Sequence, residues 1–157
     1  MTIRIVAIGL SFFAALLVSA ADYDHVQRSE IEEAFAQMMT IQDDPFVILE
    51  VAATGQFIQA ANFGSGPFLD LPTDGLSQEE MQRALKYFPS HGISPLEQRA
   101  AHPETQEIYT HIVFTHTFDS SELDRMVQII IGALYEIYGI ADDTPLTIQT
   151  GLAAFQQ

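Results

Sequence analysis

Residues 46–71 read FVILEVAATGQFIQAANFGSGPFLDL, and their punctuation decides the architecture. FVILEVAA is β-branched and apolar, Thr54-Gly55 is a turn pair, and QFIQAANF is a second run of similar length. Gly64-Ser65-Gly66 then turns the chain into the proline-bounded PFLDLP. Connections this short join antiparallel neighbours, so the three strands form a meander. On the first strand Val47, Leu49 and Val51 share one face, while Phe46, Ile48 and Glu50 share the other. Both faces are largely apolar, which predicts a sheet covered on both sides or paired with another chain.

Helical periods flank the meander. Upstream, Asp24 with Gln27 resembles a capping box, and Ile31, Ala34, Phe35, Met38 and Met39 recur at spacings of three and four. Asp43-Asp44-Pro45 stops that pattern, because the residue before proline is pushed out of helical space. Downstream, Ser77 and Glu80 form a capping box before the stripe Met81, Ala84, Leu85 and Phe88, with Pro89 as the expected stop. Residues 90–105 are turn-rich and leave an edge strand open. EIYTHIVFTHTF is a strand with Ile108, Ile112, Phe114 and Phe118 on one face. Asp119 and Glu122 then cap DSSELDRMVQIIIGALYEIYG, which should close on Gly139 in a left-handed conformation. LTIQT beyond it has strand character. The expected fold is α+β: three helices on an antiparallel sheet, a meander plus one or two later strands, in the order α-β-β-β-α-(β)-β-α.

The 157 residues carry 21 acids against six Lys and Arg, a formal charge of −15. Nucleic acid and anionic membrane surfaces are excluded as main partners, since both require clustered bases. At 48% apolar residues the chain is too hydrophobic for an acidic disordered tail. It has no cysteine, which removes disulfides, thiolate metal sites and thiol nucleophiles.

MTIRIVAIGLSFFAALLVSA, residues 1–20, has one base, an apolar run from Ile5 to Val18, and small residues before Asp22. That is the layout of a secretory signal peptide, and the run is shorter than the roughly 20 apolar residues a spanning helix needs. Residues 22–157 are then one α+β domain, periplasmic or secreted. The alternatives are an uncleaved N-terminal anchor, the only membrane attachment expected, or a buried helix.

FVILEVAATGQFIQAAN with GPFLDLPTDGLSQEEMQRA, and IYTHIVFTHTF leading to LYEIYGI, together resemble the type III secretion chaperone-like family, including YbjN-type peptide-binding domains. The resemblance covers roughly residues 24–150. It implies a small acidic domain that dimerises and binds protein segments without catalysis, and it carries over no catalytic residue. Family members act in the cytosol, whereas the leader here points to export.

Individual residues offer little chemistry. His111 and His116 lie five apart on one strand and point to opposite faces, so they cannot share a metal. Adjacent acids such as Asp43/Asp44 and Asp142/Asp143 fall in loops and at helix edges. DLPTDG lacks the ligand spacing of a calcium loop, and Gly64-Ser65-Gly66 is neither a nucleophile elbow nor a phosphate loop. No catalytic residue, metal site or cofactor is expected. Phe35, Met38, Met39, Phe57, Phe63 and Phe68 exceed what one small core needs and are the candidate partner-binding residues; the alternative is that all belong to the core. The expected function is a non-enzymatic module that grips an apolar or basic protein segment or a second copy. The alternative is an acidic inhibitor or immunity-type protein blocking a basic enzyme cleft.

Overall fold

The computed structural model describes residues 23–101 and 105–152. The leader expected over residues 1–20, and His102, lie outside them. The chain runs α1 (Arg28–Met38), β1 (Pro45–Val51), β2 (Phe57–Asn62), β3 (Pro67–Leu71), α2 (Gln78–Ser90), β4 (Leu96–Ala101), β5 (Ile108–Thr117), α3 (Leu123–Glu136) and β6 (Leu146–Leu152). The fold is α+β, as expected, with an edge strand inside the turn-rich stretch and a closing strand that extends the expected order. All strand pairs are antiparallel, in the order β4-β5-β3-β2-β1-β6.

Strand periodicity sorts the meander as anticipated. Val47, Leu49 and Val51 are buried, as are Leu69 and Leu71, and they face the helices. Phe114 joins them and stacks on Phe88 of α2 with centroids 4.9 Å apart. Above this floor α3 is the central helix, with Met126, Val127, Leu134 and most of the residues between them buried, and it packs against both α1 and α2. Each large side chain so enclosed contributes roughly 1.5–3 kcal/mol of transfer free energy, which makes α3 the anchor of the helical layer.

Gly132 lets α2 approach α3. Tyr87 donates its hydroxyl to the Ile129 carbonyl at 2.9 Å, and the bond places its oxygen where a Cβ on Gly132 would project. The Tyr23 ring closes the other side, 2.9 Å from that position, and stacks on Tyr135 at 4.7 Å.

Three local expectations are corrected. Asp24 does not cap α1: the helix begins after Gln27, which makes no side-chain cap. The Gln27 amide instead accepts from Leu146 N–H at 2.8 Å and donates to Leu146 C=O at 3.2 Å, imitating a neighbouring strand. Buried His25 completes the seam, its Nδ1 accepting from Gln27 N–H and its Nε2 meeting the Thr144 carbonyl at 2.9 Å. Pro89 does not stop α2 at once but sits inside its last turn, where it withholds the N–H that the Leu85 carbonyl would take and only Ser90 follows it in the helix. α3 is preceded by a short 3-10 turn over Ser120–Glu122 and its regular part closes at Glu136. Gly139, at φ +70°, does supply the left-handed exit, its N–H returning to the Tyr135 carbonyl. The capping box of α2 is as expected, Glu80 accepting from Ser77 N–H at 2.7 Å.

Candidate functional site

Among the described residues the helices cover one face of the sheet only, so of the two expectations for its apolar faces, cover on both sides or pairing with another chain, the first is not met and the other face stands open. The side chains that alternate with the core residues form its floor. β1 supplies Phe46 and Ile48, β2 supplies Gln59 and Ala61, and β3 supplies Phe68 and Asp70. The register brings them together: Phe46 lies opposite Ala61, Ile48 opposite Gln59, Ala61 opposite Phe68, and Gln59 opposite Asp70. Phe63, just beyond β2, leans on Phe68 with ring centroids 6.0 Å apart. The result is a shallow hollow of about 350 Å³ with aromatic and aliphatic walls. None of these aromatic rings packs against the core beneath.

Asp70 is the carboxylate among the residues that line this hollow; Glu50, on the same face beyond Ile48, accepts from the Gln149 amide at 2.9 Å. Asp70 accepts from the Gln59 amide at 2.7 Å and lies opposite Thr115 of β5. Burial raises its pKa above the ordinary carboxylate value, and the Gln59 bond and the charge of His111 only partly offset this. His111 is on the same face, its Nδ1 3.3 Å from Asp74. The hollow therefore offers one part-buried negative group within reach of several rings, with Glu50 further along β1.

The six candidate residues separate. Phe57, Phe63 and Phe68 belong to the open face by register. Phe35 and Met38 are fully enclosed in the core, and Met39 packs half-buried against it, so α1 does not share the open face. The periodicity of three and four had put Phe35 and Met38 on the one stripe that a helix must bury. Phe46, Ile48, Gln59 and Asp70 were not among the candidates. Their signal was the second face of FVILEV, visible as alternation but uninterpretable until the register showed which face the helices take.

Other concavities lie elsewhere on the molecule, two of them bordered by α1. The first, about 340 Å³, lies at the β6 edge between α1 and β1 and is lined by Ala34, Met38, Ile41, Phe46, Thr150 and Leu152, among others. The second lies between α1 and α3 and is bordered by the Arg28–Glu32 ion pair. Among the described residues no three His, Asp or Glu side chains converge as metal ligands would. His111 and His116 occupy opposite faces, His116 lying edge-on to Phe118 at 4.5 Å. Among the described residues no helix is long and apolar enough to cross a membrane. Comparison with known proteins finds no matching family model, no matching curated protein and no matching solved structure.

Proposed function

We propose that this chain is a non-enzymatic protein-binding module that receives an extended apolar segment carrying a basic side chain on the open face of its sheet. The observation that carries the reading is the position of Asp70. A part-buried carboxylate bonded to the Gln59 amide and set among Phe46, Ile48, Phe63 and Phe68 is a favourable place for a cation between apolar neighbours. The excess of 21 acids over six bases supports the same partner, since it steers basic chains towards the molecule.

The family resemblance agrees with this role, and the leader-like residues 1–20 extend it to a periplasmic or secreted protein, or one tethered by an uncleaved leader. Mass spectrometry of the N-terminus of the native protein tests the compartment. The binding role is tested by titrating ¹⁵N-labelled protein with the peptide Ac-ALVRVLA-NH₂ and with its Arg-to-norleucine analogue. Amide shifts at Ile48, Gln59 and Phe68, larger for the arginine peptide, are expected. Shifts confined to the helical layer, or none with either peptide, would overturn the reading. A single tight protein partner whose affinity collapses with salt would instead mark the acidic inhibitor reading, which the −15 charge also favours.

A further inference from the structure

Among the described residues the Lys and Arg side chains all belong to the helical side of the molecule. Arg28 is on α1, Arg83 and Lys86 are on α2, and Arg125 is on α3. Arg99 of β4 lies opposite Thr110, which shares the side of Phe114 and the helices. Arg28, Arg83 and Arg125 already pair with Glu32, Glu79 and Glu122. The strands of the open face present Asp70 and Glu50 instead. Both are held alike: the Gln59 amide donates to Asp70 at 2.7 Å, and the Gln149 amide donates to Glu50 at 2.9 Å. A carboxylate accepts about four hydrogen bonds, so each is oriented by its glutamine with acceptor positions to spare.

The register sets the distance between them. Glu50 lies opposite Phe57, and Gln59, two residues on, lies opposite Asp70. Asp70 is therefore two strands across and one pleat along from Glu50. With strands about 4.8 Å apart and about 6.7 Å per two residues, the separation is about 12 Å. The line joining them passes between Phe57 and Gln59, at the margin of the apolar hollow. We infer that Glu50 is a second anchor for the segment received on the open face, and that this segment carries two basic side chains four residues apart. The inference rests on the binding role proposed for Asp70. An extended chain rises about 3.3 Å per residue, so bases four apart share one side of it at a spacing of about 13 Å. The residue midway between them then turns towards Phe57. Bases three apart point to opposite sides, and one of them faces water. Arginine suits both ends, because its planar fork meets a carboxylate with two N–H groups.

Three peptides test the assignment by calorimetry with the full chain at low salt. Ac-ALRVLVRLA-NH₂ has its bases four apart, Ac-ALRVLRVLA-NH₂ has the same composition with them three apart, and the third is the first with norleucine for its second arginine. The first should bind about fivefold tighter than either of the others, the upper end for an ion pair open to water. Equal charge on the first two separates this gain from general attraction to an acidic chain. Glu50→Gln can still accept from Gln149, so its melting temperature should hold, the gain should vanish and the norleucine peptide should bind as before. Amide shifts at Thr147 and Gln149, which lie beside Glu50 on the open face, give a measure that needs no variant: they should appear with the first peptide and not with the norleucine one. Equal affinity for the two spacings, a gain that survives Glu50→Gln, or unmoved Thr147 and Gln149 amides would overturn the inference. The binding role of Asp70 would still stand if the norleucine peptide shifts Ile48, Gln59 and Phe68, whereas no binding by any peptide removes both. Tighter binding of a stapled helix with bases seven apart, about 10.5 Å along its axis, would also overturn it and make a helix the occupant.

Discussion

The ring of Phe46 lies across Gly151 on the adjacent strand, and a Cβ added to that glycine would stand 2.7 Å from the ring's Cζ. The glycine leaves the space that holds this ring at the lip of the open face. Gly151→Ala should displace the far end of a side chain that can move, so stability should change by less than about 1 kcal/mol. The Phe46 aromatic resonances should shift markedly, and affinity for the arginine peptide should change with them. Two-dimensional NMR and urea denaturation measure the two effects separately.

Gly132→Ala should behave in the opposite way. Alanine ordinarily stabilises a helix interior by roughly 0.5–1 kcal/mol relative to glycine. Here the added methyl meets the Tyr87 hydroxyl and the Tyr23 ring, both held in place. A loss of about 1–3 kcal/mol is expected from overpacking. Tyr87→Phe vacates the contested space, so the double variant should recover part of the loss, which a denaturation-based double-mutant cycle reads directly.

Gln27→Ala removes two bonds to Leu146 and leaves part-buried backbone groups unsatisfied. About 1–3 kcal/mol of destabilisation follows from the unpaired groups. Hydrogen exchange should show the Leu146 amide losing protection before those of β1. Gln27→Glu keeps the shape but sets a carboxylate oxygen against the Leu146 carbonyl and the Glu30 carboxylate, so it should cost at least as much.

Asp70 sets an acid-side pH dependence. Burial raises its carboxyl above 3.8 in the folded chain, so the native state holds a proton that the unfolded state has already released. Stability therefore falls as pH rises through the raised folded value, then levels off. Asp70→Asn, which can still accept from Gln59, should be the more stable protein at pH 7. Its advantage should vanish below the unfolded value of 3.8. Melting temperatures of both proteins across that range check the sign, and the same variant should lose preference for arginine over norleucine.

Tyrosines set the alkaline side. Burial and the bond to Glu136 push Tyr23 up to about 12, and burial raises Tyr87 and Tyr138 well above their usual value. The unfolded chain ionises first, near pH 10, so stability declines from there as pH rises towards 12. Phenolate absorbance should lag in buffer and appear near pH 10 in concentrated urea.

Much of the fold was legible because its signals are local. Thr54-Gly55 and Gly64-Ser65-Gly66 punctuate the meander, and Ser77–Glu80 and Gly139 mark helix ends through backbone geometry that neighbours alone determine. β4 stayed an open alternative because LEQRAA has no consistently apolar face and owes its strand to pairing with β5. Gln27 escaped for a related reason: its partner, Leu146, is remote in sequence and close only through the sheet. The candidate site was legible by half. Phe63 and Phe68 stood out by type, but Phe46 and Asp70 acquire meaning only once the helices occupy the other face.

The ladder of β5 is staggered: residues 108–113 bond to β4, while 114–117 bond to β3. The outer hairpin is thus cantilevered from a single strand, with Ile108 64% exposed at its far end. A lever so mounted can fray and re-form while the body stays intact. The earliest motion of this molecule under heat or force should begin at that tip and halt near Phe114, where the stacking with Phe88 pins the strand to the helices.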